Sequence, residues 1–248
     1  NKYAKKIKES NPGFVIALGN EIYLTDTRDL GQRYYHFILL AKDEIGYRGL
    51  KELSSIAWMN GYYDRRMERV PLLKSELKDV MQRFKGHIIG TTACIGGELG
   101  STILNLENCE KVNDITNAQR YHKQIVDFMT FCIEVFGHDD FYIECAPAAY
   151  EDQIIANKRM LKISEAFDVN MCIGTDAHYL TKEDRYVHKA YLNSKGGERE
   201  VDSFYEFTHL MTENETRELL RLSFEEDIID WIFKCSNEIK DKIQFYSL

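Results

Sequence analysis

Residues 174–180 read GTDAHYL, and they follow directly on the apolar run 169–173. The run predicts a buried strand, so Asp176 and His178 are expected at its carboxyl end with both side chains on one face. That end of a strand is where α/β barrels carry their chemistry, and a carboxylate beside an imidazole is a common ligand pair for a divalent metal. The alternative is an Asx turn followed by a surface histidine, because Asp-x-His tripeptides are common.

Around this stretch, strand-like and helix-like segments alternate, which predicts β/α units and a largely parallel sheet. The predicted strands are Phe14–Leu18, Tyr34–Ala41, His87–Thr92, Asp140–Ala146 and Val169–Gly174. The predicted helices are Asn1–Glu9, Ile45–Gly61, Lys74–Phe84, Asn117–Phe136, Glu151–Phe167 and Lys182–Asn193. The C-terminal pattern is a short strand-like piece and two helices, Glu206–Met211, Glu213–Leu220 and Phe224–Glu238. We therefore expect one α/β barrel over residues 1–202, followed by a strand and helical segment over 203–248.

The composition favours a cytoplasmic protein with a packed core. The chain has 248 residues, of which 44% are hydrophobic, and no apolar run approaches the roughly 18 residues of a membrane span. Its six cysteines are scattered without a C-x-x-C pair, so we expect reduced core thiols. The net charge of −8 argues against this segment wrapping nucleic acid by itself, although it leaves room for a local basic patch. Since the first residue is Asn1, we expect a fragment or a processed product.

Residues that can ligate metals recur at the predicted strand ends. They are Glu21 after the first strand, His36 in the second, Cys94 after the third, and Asp176 and His178 at the last. In a parallel barrel such residues converge on one rim, and we expect their donor atoms within roughly 4–8 Å of one another, as ligands of shared metals must be. Taken singly, each has another interpretation: a core histidine, a small apolar cysteine before a Gly-Gly turn, or a solvated glutamate. Taken together, nitrogen, oxygen and sulfur donors are typical of a transition-metal site.

Four stretches of the sequence resemble a known domain. They are YHFILLAKDEIGYRGL at 35–50, TACIGGEL at 92–99, DFYIE at 140–144 and TDAHYL at 175–180. In this order they are similar to the polymerase and histidinol phosphatase (PHP) domain, in the form found at the start of bacterial DNA polymerase III alpha subunits. The resemblance runs from about residue 14 to the end of the sequence.

The resemblance implies a distorted (β/α)7 barrel of the TIM type that holds a cluster of two or three metals. The matching ligand positions are Glu21, as a bridging glutamate, and His36, Cys94, Asp176 and His178. Glu144 lies in a matching strand, but we expect it to accept a hydrogen bond near the site or to be structural. His188 also matches the family, and we expect it to pack on its helix instead of ligating metal. The donor set suits Zn²⁺, with Mn²⁺ as the other metal considered.

The resemblance also predicts that the site is incomplete in this sequence. The family pattern opens with a His-x-His pair, an Asp and another His upstream of the bridging glutamate. The sequence begins too late to contain these four positions, so the first barrel strand and its helix are expected to be missing. The polymerase palm, with its catalytic aspartates and Mg²⁺, is expected to lie outside the segment as well.

Three functions are compatible with the resemblance. The first is a module of a replicative DNA polymerase, which supports the palm and acts with DNA, a proofreading exonuclease subunit and a sliding clamp. The second is a stand-alone metal-dependent phosphoesterase, and the third is a structural docking domain with a decayed site. The sequence continues for about 70 residues beyond Asp176 and His178, which favours the polymerase because a phosphatase is expected to end sooner. This segment alone is expected to be inactive in DNA synthesis.

Overall fold

Helices and strands alternate along much of the chain in the computed structural model, which describes residues 2–29, 31–64, 67–194, 203–244 and 246. The strands are β1 Leu18–Thr25, β2 Tyr35–Ala41, β3 Tyr62–Asp64, β4 Met67–Arg69, β5 Pro71–Leu73, β6 Ile88–Thr91, β7 Phe141–Cys145 and β8 Met171–Ile173. The helices are α1 Lys2–Ser10, α2 Glu44–Met59, α3 Lys74–Phe84, α4 Glu98–Lys111, α5 Ile115–Phe136, α6 Glu151–Phe167, α7 Arg185–Asn193, α8 Glu213–Leu220 and α9 Glu226–Lys242. Short 3₁₀ helices cover Lys182–Asp184 and Ser203–Phe207.

Six of these strands form one sheet in the order β5-β1-β2-β6-β7-β8. Strand β2 runs antiparallel to both β1 and β6, whereas β1–β5, β6–β7 and β7–β8 are parallel. The predicted α/β class is therefore confirmed. Among the described residues the sheet is open, with β5 and β8 as its two ends, and no closed barrel is formed there. The connection between β1 and β2 is too short for a parallel crossover, which explains the antiparallel hairpin.

The first strand lies later in the chain than the sequence predicted. The prediction of Phe14–Leu18 is wrong, because β1 begins at Leu18, and Glu21 lies inside the strand opposite Ile38 instead of following it. An apolar run suggested a strand at 14–18, but Phe14 and Ile16 are exposed in the structure. What fixes the strand is the alternation that buries Ile22 and Leu24 on the core side of the hairpin.

The geometry predicted for Asp176 and His178 is also wrong. Strand β8 ends at Ile173, so these residues lie in a loop where the two-residue alternation of a strand does not apply. Asp176 has a φ of 44°, in the left-handed region that aspartate tolerates better than most residues. This turn brings the two side chains close together.

The core lies between the sheet and the helices. Phe37 on β2 is 1% exposed, and its ring packs against the rings of Phe128, Phe136 and Phe141 with centroid distances of 6.4, 5.7 and 6.4 Å. Burying a phenylalanine side chain contributes roughly 1.5–3 kcal/mol, so this cluster is a strong anchor between β2, β7 and α5. It leaves the opposite face of β2, with His36, for the functional site.

Several elements were not expected from the sequence. Helix α4 was missed because its buried face includes Ser101 and Thr102, which hide the amphipathic pattern. The short strands β3 to β5 were missed as well. In the strand-like piece Glu206–Met211, Glu206 and Phe207 end a 3₁₀ helix, and strand character is limited to one bridge between His209 and Tyr179.

The C-terminal helices cover the edge of the sheet at β8. The Ser236 hydroxyl on α9 accepts a hydrogen bond from the Ile173 backbone N–H at 3.0 Å, and Asn157 on α6 donates to the Ser223 hydroxyl at 3.2 Å. The predicted domain boundary at residue 202 lies outside the described residues, as does Asn1 of the predicted first helix. Within the described residues, no helix combines the length and apolar character needed to span a membrane.

A buried ion pair between helices provides a test of the packing. Glu98 at the start of α4 is 3% exposed and lies 2.9 Å from the Lys74 ammonium. We expect Lys74→Met to lower the free energy of unfolding by about 3–5 kcal/mol, because it leaves a buried carboxylate without its partner. Replacing both residues, as Lys74→Met with Glu98→Leu, is expected to recover much of that loss.

The matched control is Lys78→Met, which breaks the exposed pair of Lys78 and Glu134. It is expected to cost no more than about 1 kcal/mol. Urea unfolding of the four proteins measures both effects. Equal losses for Lys74→Met and Lys78→Met would contradict the buried-pair interpretation.

Candidate metal centre

Glu21 and His36 form the first half of the candidate site on neighbouring strands. The register places Tyr23 opposite His36, so Glu21, two residues before Tyr23, lies on the same face of the hairpin. Glu21 Oε1 lies 2.7 Å from His36 Nδ1, with both side chains partly exposed. The hydrogen bond between them lowers the pKa of Glu21 and raises that of His36, and burial opposes both shifts.

Cys94 joins this pair from the loop after β6. Its Sγ lies 3.8 Å from His36 Nδ1. Burial raises the pKa of Cys94 to about 12, and the charge of Asp176 adds to the rise. The thiol is therefore protonated at neutral pH unless a cation lies beside it, which argues against a free nucleophilic cysteine and is compatible with a metal ligand.

Asp176 and His178 form the second half of the site in the loop after β8. His178 Nδ1 lies 2.6 Å from the Asp176 carbonyl oxygen and 3.7 Å from Asp176 Oδ1. A nitrogen this close to a carbonyl oxygen must carry the proton, so Nε2 is the nitrogen with the lone pair. Ligating histidines commonly donate their other N–H in this way. The backbone N–H of His178 donates to the Thr208 carbonyl at 2.7 Å, which ties the loop to the C-terminal segment.

The two halves lie at the same end of the sheet. Cys94, whose Sγ lies beside the His36 ring, lines the same pocket as Asp176, so the two halves adjoin. In keeping with this, the charge of Asp176 raises the pKa of both His36 and Cys94. The kinds of donor fit a transition metal. As they are arranged, however, no three or more His, Cys, Asp or Glu side chains of the described part of the chain could hold a metal ion. The hydrogen bond between Glu21 and His36 also occupies two of the candidate donor groups.

Glu144 faces the same centre, although the sequence did not assign it to the metal. The Thr91 hydroxyl donates to Glu144 Oε2 at 2.6 Å. A Cβ on Gly174 would lie 1.9 Å from Glu144 Oε1, so only glycine lets β8 approach this carboxylate. Burial raises the pKa of Glu144 to about 7, and the charges of Asp176 and Glu21 add to the rise. These carboxylates repel one another, and a cation between them would relieve the repulsion.

The His188 side chain lies beside the site. Its ring lies 5.4 Å from the His178 ring and 4.9 Å from the Tyr205 ring, between centroids. Burial lowers the pKa of His188, and the charge of His178 lowers it further. No motif in the sequence pointed to Tyr205 or Thr208, because both reach the site only through the folding back of the C-terminal segment.

A small pocket opens beside Cys94 and Asp176. Its lining consists of Cys94, Ala146, Pro147, Ala148, Tyr150, Thr175, Asp176, Phe207 and Thr208. The Tyr150 hydroxyl donates to Gln153 at 2.9 Å, and its ring lies 6.2 Å from that of Phe207. The pocket therefore joins the loop after β7, the loop after β8 and the C-terminal segment at one point.

Comparison with known proteins finds a matching family model and several relatives. The family model of the PHP domain matches residues 1–148. A probable DNA polymerase, YorL, of Bacillus subtilis and a DNA-directed DNA polymerase of Bacillus phage SPbeta are each 40% identical over 253 aligned residues, which cover 98% of this chain and 19% of the relative. The DNA polymerase III subunit alpha of Borreliella burgdorferi is 33% identical over 190 residues, 74% of this chain and 14% of the relative. The chain thus spans about a fifth or less of the length of these curated relatives.

The arrangement of the donors predicts weak metal binding by this chain. We expect the purified 248-residue protein to retain little Zn²⁺ or Mn²⁺ after gel filtration, because affinity falls with each missing donor. In Zn²⁺ titrations, Cys94→Ser is expected to weaken the residual binding further, whereas Cys109→Ser, at a cysteine of similar exposure outside the site, is expected to have no effect. Elemental analysis that finds tightly held, near-stoichiometric zinc would contradict the prediction.

Proposed function

The chain belongs to the PHP domain family, and from that premise we propose that it is the PHP portion of a DNA polymerase of the polymerase III alpha kind. The observation that carries the proposal is the extent of the similarity. The family model ends at residue 148, but two DNA polymerases remain similar across nearly the whole chain, including the Asp176–His178 loop and helices α8 and α9. The whole protein would then catalyse DNA-template-directed DNA synthesis, with its catalytic carboxylates and Mg²⁺ outside this segment.

Within such a polymerase, the segment would support the palm. We propose the division predicted from the sequence, with residues 1–202 as the PHP unit and 203–248 as the connection toward the palm. The contacts of α9 with β8, through Ser236 and Ile173, support a connection that is packed and not a loose linker. We also propose that the six-stranded sheet is part of a distorted (β/α)7 barrel in the whole protein.

The finer proposal is a metal-dependent 3′–5′ exonuclease or phosphoesterase site in the same unit. Its ligands would be Glu21, His36, Cys94, Asp176 and His178, with Zn²⁺ or Mn²⁺ as the metal. A bound metal supplies an activated hydroxide and neutralises phosphate oxygens. The residues of this chain would position that metal: the Asp176 carbonyl fixes the tautomer of His178, and Thr91 orients Glu144.

A structural role without catalysis is the second candidate. Two observations favour it. The candidate ligands Glu21 and His36 are hydrogen-bonded to each other, and the candidate ligands are incompletely grouped in the described residues. In this role the unit would dock a proofreading exonuclease subunit, with the sliding clamp bound elsewhere on the polymerase. A stand-alone phosphoesterase is disfavoured by the similarity of the C-terminal helices to polymerases.

The substitution Asp176→Asn in the whole polymerase distinguishes these functions. We expect it to lower metal content and any 3′-end cleavage at least about tenfold, since an amide loses the charge and donor strength of a ligand carboxylate. Primer extension is expected to change much less, because the palm keeps its own ions. Metal analysis, cleavage of a 3′-labelled strand and primer extension are measured on the same preparation.

The matched control is Asp79→Asn, at an exposed position on α3, which is expected to change none of the three. Thermal melting is run in parallel because a destabilised unit would also loosen the palm it supports. The proposal fails if Asp176→Asn keeps the melting temperature and metal content but abolishes primer extension. A catalytic role in polymerisation would then lie inside this unit.

A further inference from the structure

Two tyrosines and an arginine extend outward from the Glu21–His36 pair. The Tyr23 ring lies 5.5 Å from the His36 ring, and the Tyr34 ring lies 5.1 Å from that of Tyr23. The Arg69 guanidinium, on β4, lies over the Tyr34 ring at 5.4 Å. We call Tyr23, Tyr34 and Arg69 the aromatic ladder. It leads from the candidate metal ligands to the surface.

The ladder is built by the β1–β2 hairpin. Tyr23 is paired with His36 across the strands, and Tyr34 lies two residues before His36. Tyr34 directly precedes β2, and its ring contacts the Tyr23 ring, so the ladder adjoins the face that carries the candidate metal donors. The core packs on the opposite face through Leu24 and Phe37. The ladder is therefore not part of the hydrophobic core.

Tyr23 is partly exposed at the surface of the hairpin. It is 38% exposed, and the Tyr34 and His36 rings are tilted from it by 59° and 61°, so neither lies flat against it. An aromatic ring with an open face can stack a nucleic-acid base, a contact worth about 1–3 kcal/mol whichever base is present. A ring that only filled the core would be buried.

Arg69 adds a positive charge at the outer end of the ladder. Burial, followed by the nearby Glu21 and Tyr34, raises the pKa of Tyr23. The charge of Arg69 opposes that rise, so the guanidinium lies near the Tyr23 hydroxyl. Its position over the Tyr34 ring holds it by a cation–π contact. A guanidinium held in this way suits a phosphate, which it can bind through two hydrogen bonds.

We propose that the aromatic ladder binds the end of a single DNA strand, with a base stacked on Tyr23 and a backbone phosphate bound by Arg69. The inference rests on the proposed function, because it supplies the strand on which a phosphoesterase site beside His36 would act. A single strand is the occupant that fits, since stacking on Tyr23 requires an unpaired base and the surface is continuous with the metal donors. Duplex DNA does not offer an unpaired base there.

Fluorescence anisotropy with labelled oligo(dT) tests the proposal on the 248-residue chain. The measurement is made in EDTA at several salt concentrations, so that neither cleavage nor metal contributes. Tyr23→Leu is expected to weaken binding about 5- to 100-fold, whereas Tyr23→Phe, which keeps the ring, retains most of the affinity. Arg69→Ala is expected to make the slope of log K against log salt shallower by about 0.7, the value for one phosphate contact with a single strand.

Tyr191→Leu is the matched control, because this tyrosine is 59% exposed on α7, outside the ladder. It is expected to bind oligo(dT) as the unchanged chain does, and a DNA duplex is expected to bind more weakly than oligo(dT). The proposal is overturned if Tyr23→Leu binds normally, if Tyr191→Leu loses as much affinity as Tyr23→Leu, or if the duplex binds as tightly. If the aromatic ladder does not bind the strand, the proposal of metal-dependent cleavage still stands. Conversely, a chain that cannot cleave DNA can still show binding that depends on Tyr23. The binding proposal and the cleavage proposal can therefore fail separately.

Discussion

The antiparallel register of β1 and β2 is the constraint on which the candidate site depends. It places Tyr23 opposite His36 and so puts Glu21 within hydrogen-bonding distance of the His36 ring. A slip of one residue would turn Glu21 toward the core and Ile22 toward solvent. The burial of Ile22 makes that slip unfavourable, because its side chain would leave the core, where it lies across from the buried Phe37. The packing of one face of the hairpin thus determines the chemistry of the other.

The second half of the site depends on the C-terminal segment. Strand β8 has only three residues, and its edge is covered by α9 through the bond from Ile173 to Ser236. The loop that follows is tied down by the bond from the His178 N–H to the Thr208 carbonyl. Asp176 and His178 are therefore held by residues that come after them in the chain. A shift in the C-terminal segment would therefore move Asp176 and His178 relative to Glu21 and His36.

The sequence predicted the regular helices well and the strand ends poorly. Helices α3, α6 and α8 have the predicted bounds. For α8 the end signal is clear, because the Thr212 side chain caps the helix by accepting from the Glu215 N–H. The first strand was misplaced because pairing with β2, and not local hydrophobicity, selects it. The left-handed backbone at Asp176 made the prediction from strand alternation wrong, although Asp176 and His178 still lie close together. Local motifs could only nominate candidate donors. Their mutual geometry could not be predicted in this way, since it depends on contacts between residues far apart in the chain.

The net charge of −8 and a DNA-binding surface are physically compatible. Charges more than about 8 Å apart in solvent are largely screened at physiological salt, so the distant acidic residues of helices α8 and α9 act weakly on the aromatic ladder. Stacking on Tyr23 needs no positive charge, and Arg69 supplies one at the point where a phosphate would lie. The overall charge opposes non-specific wrapping of DNA, which depends on many phosphate contacts. A surface built from one ring and one guanidinium favours contact with only a few nucleotides at the end of a strand. The position of that contact is fixed by its distance from the candidate metal donors.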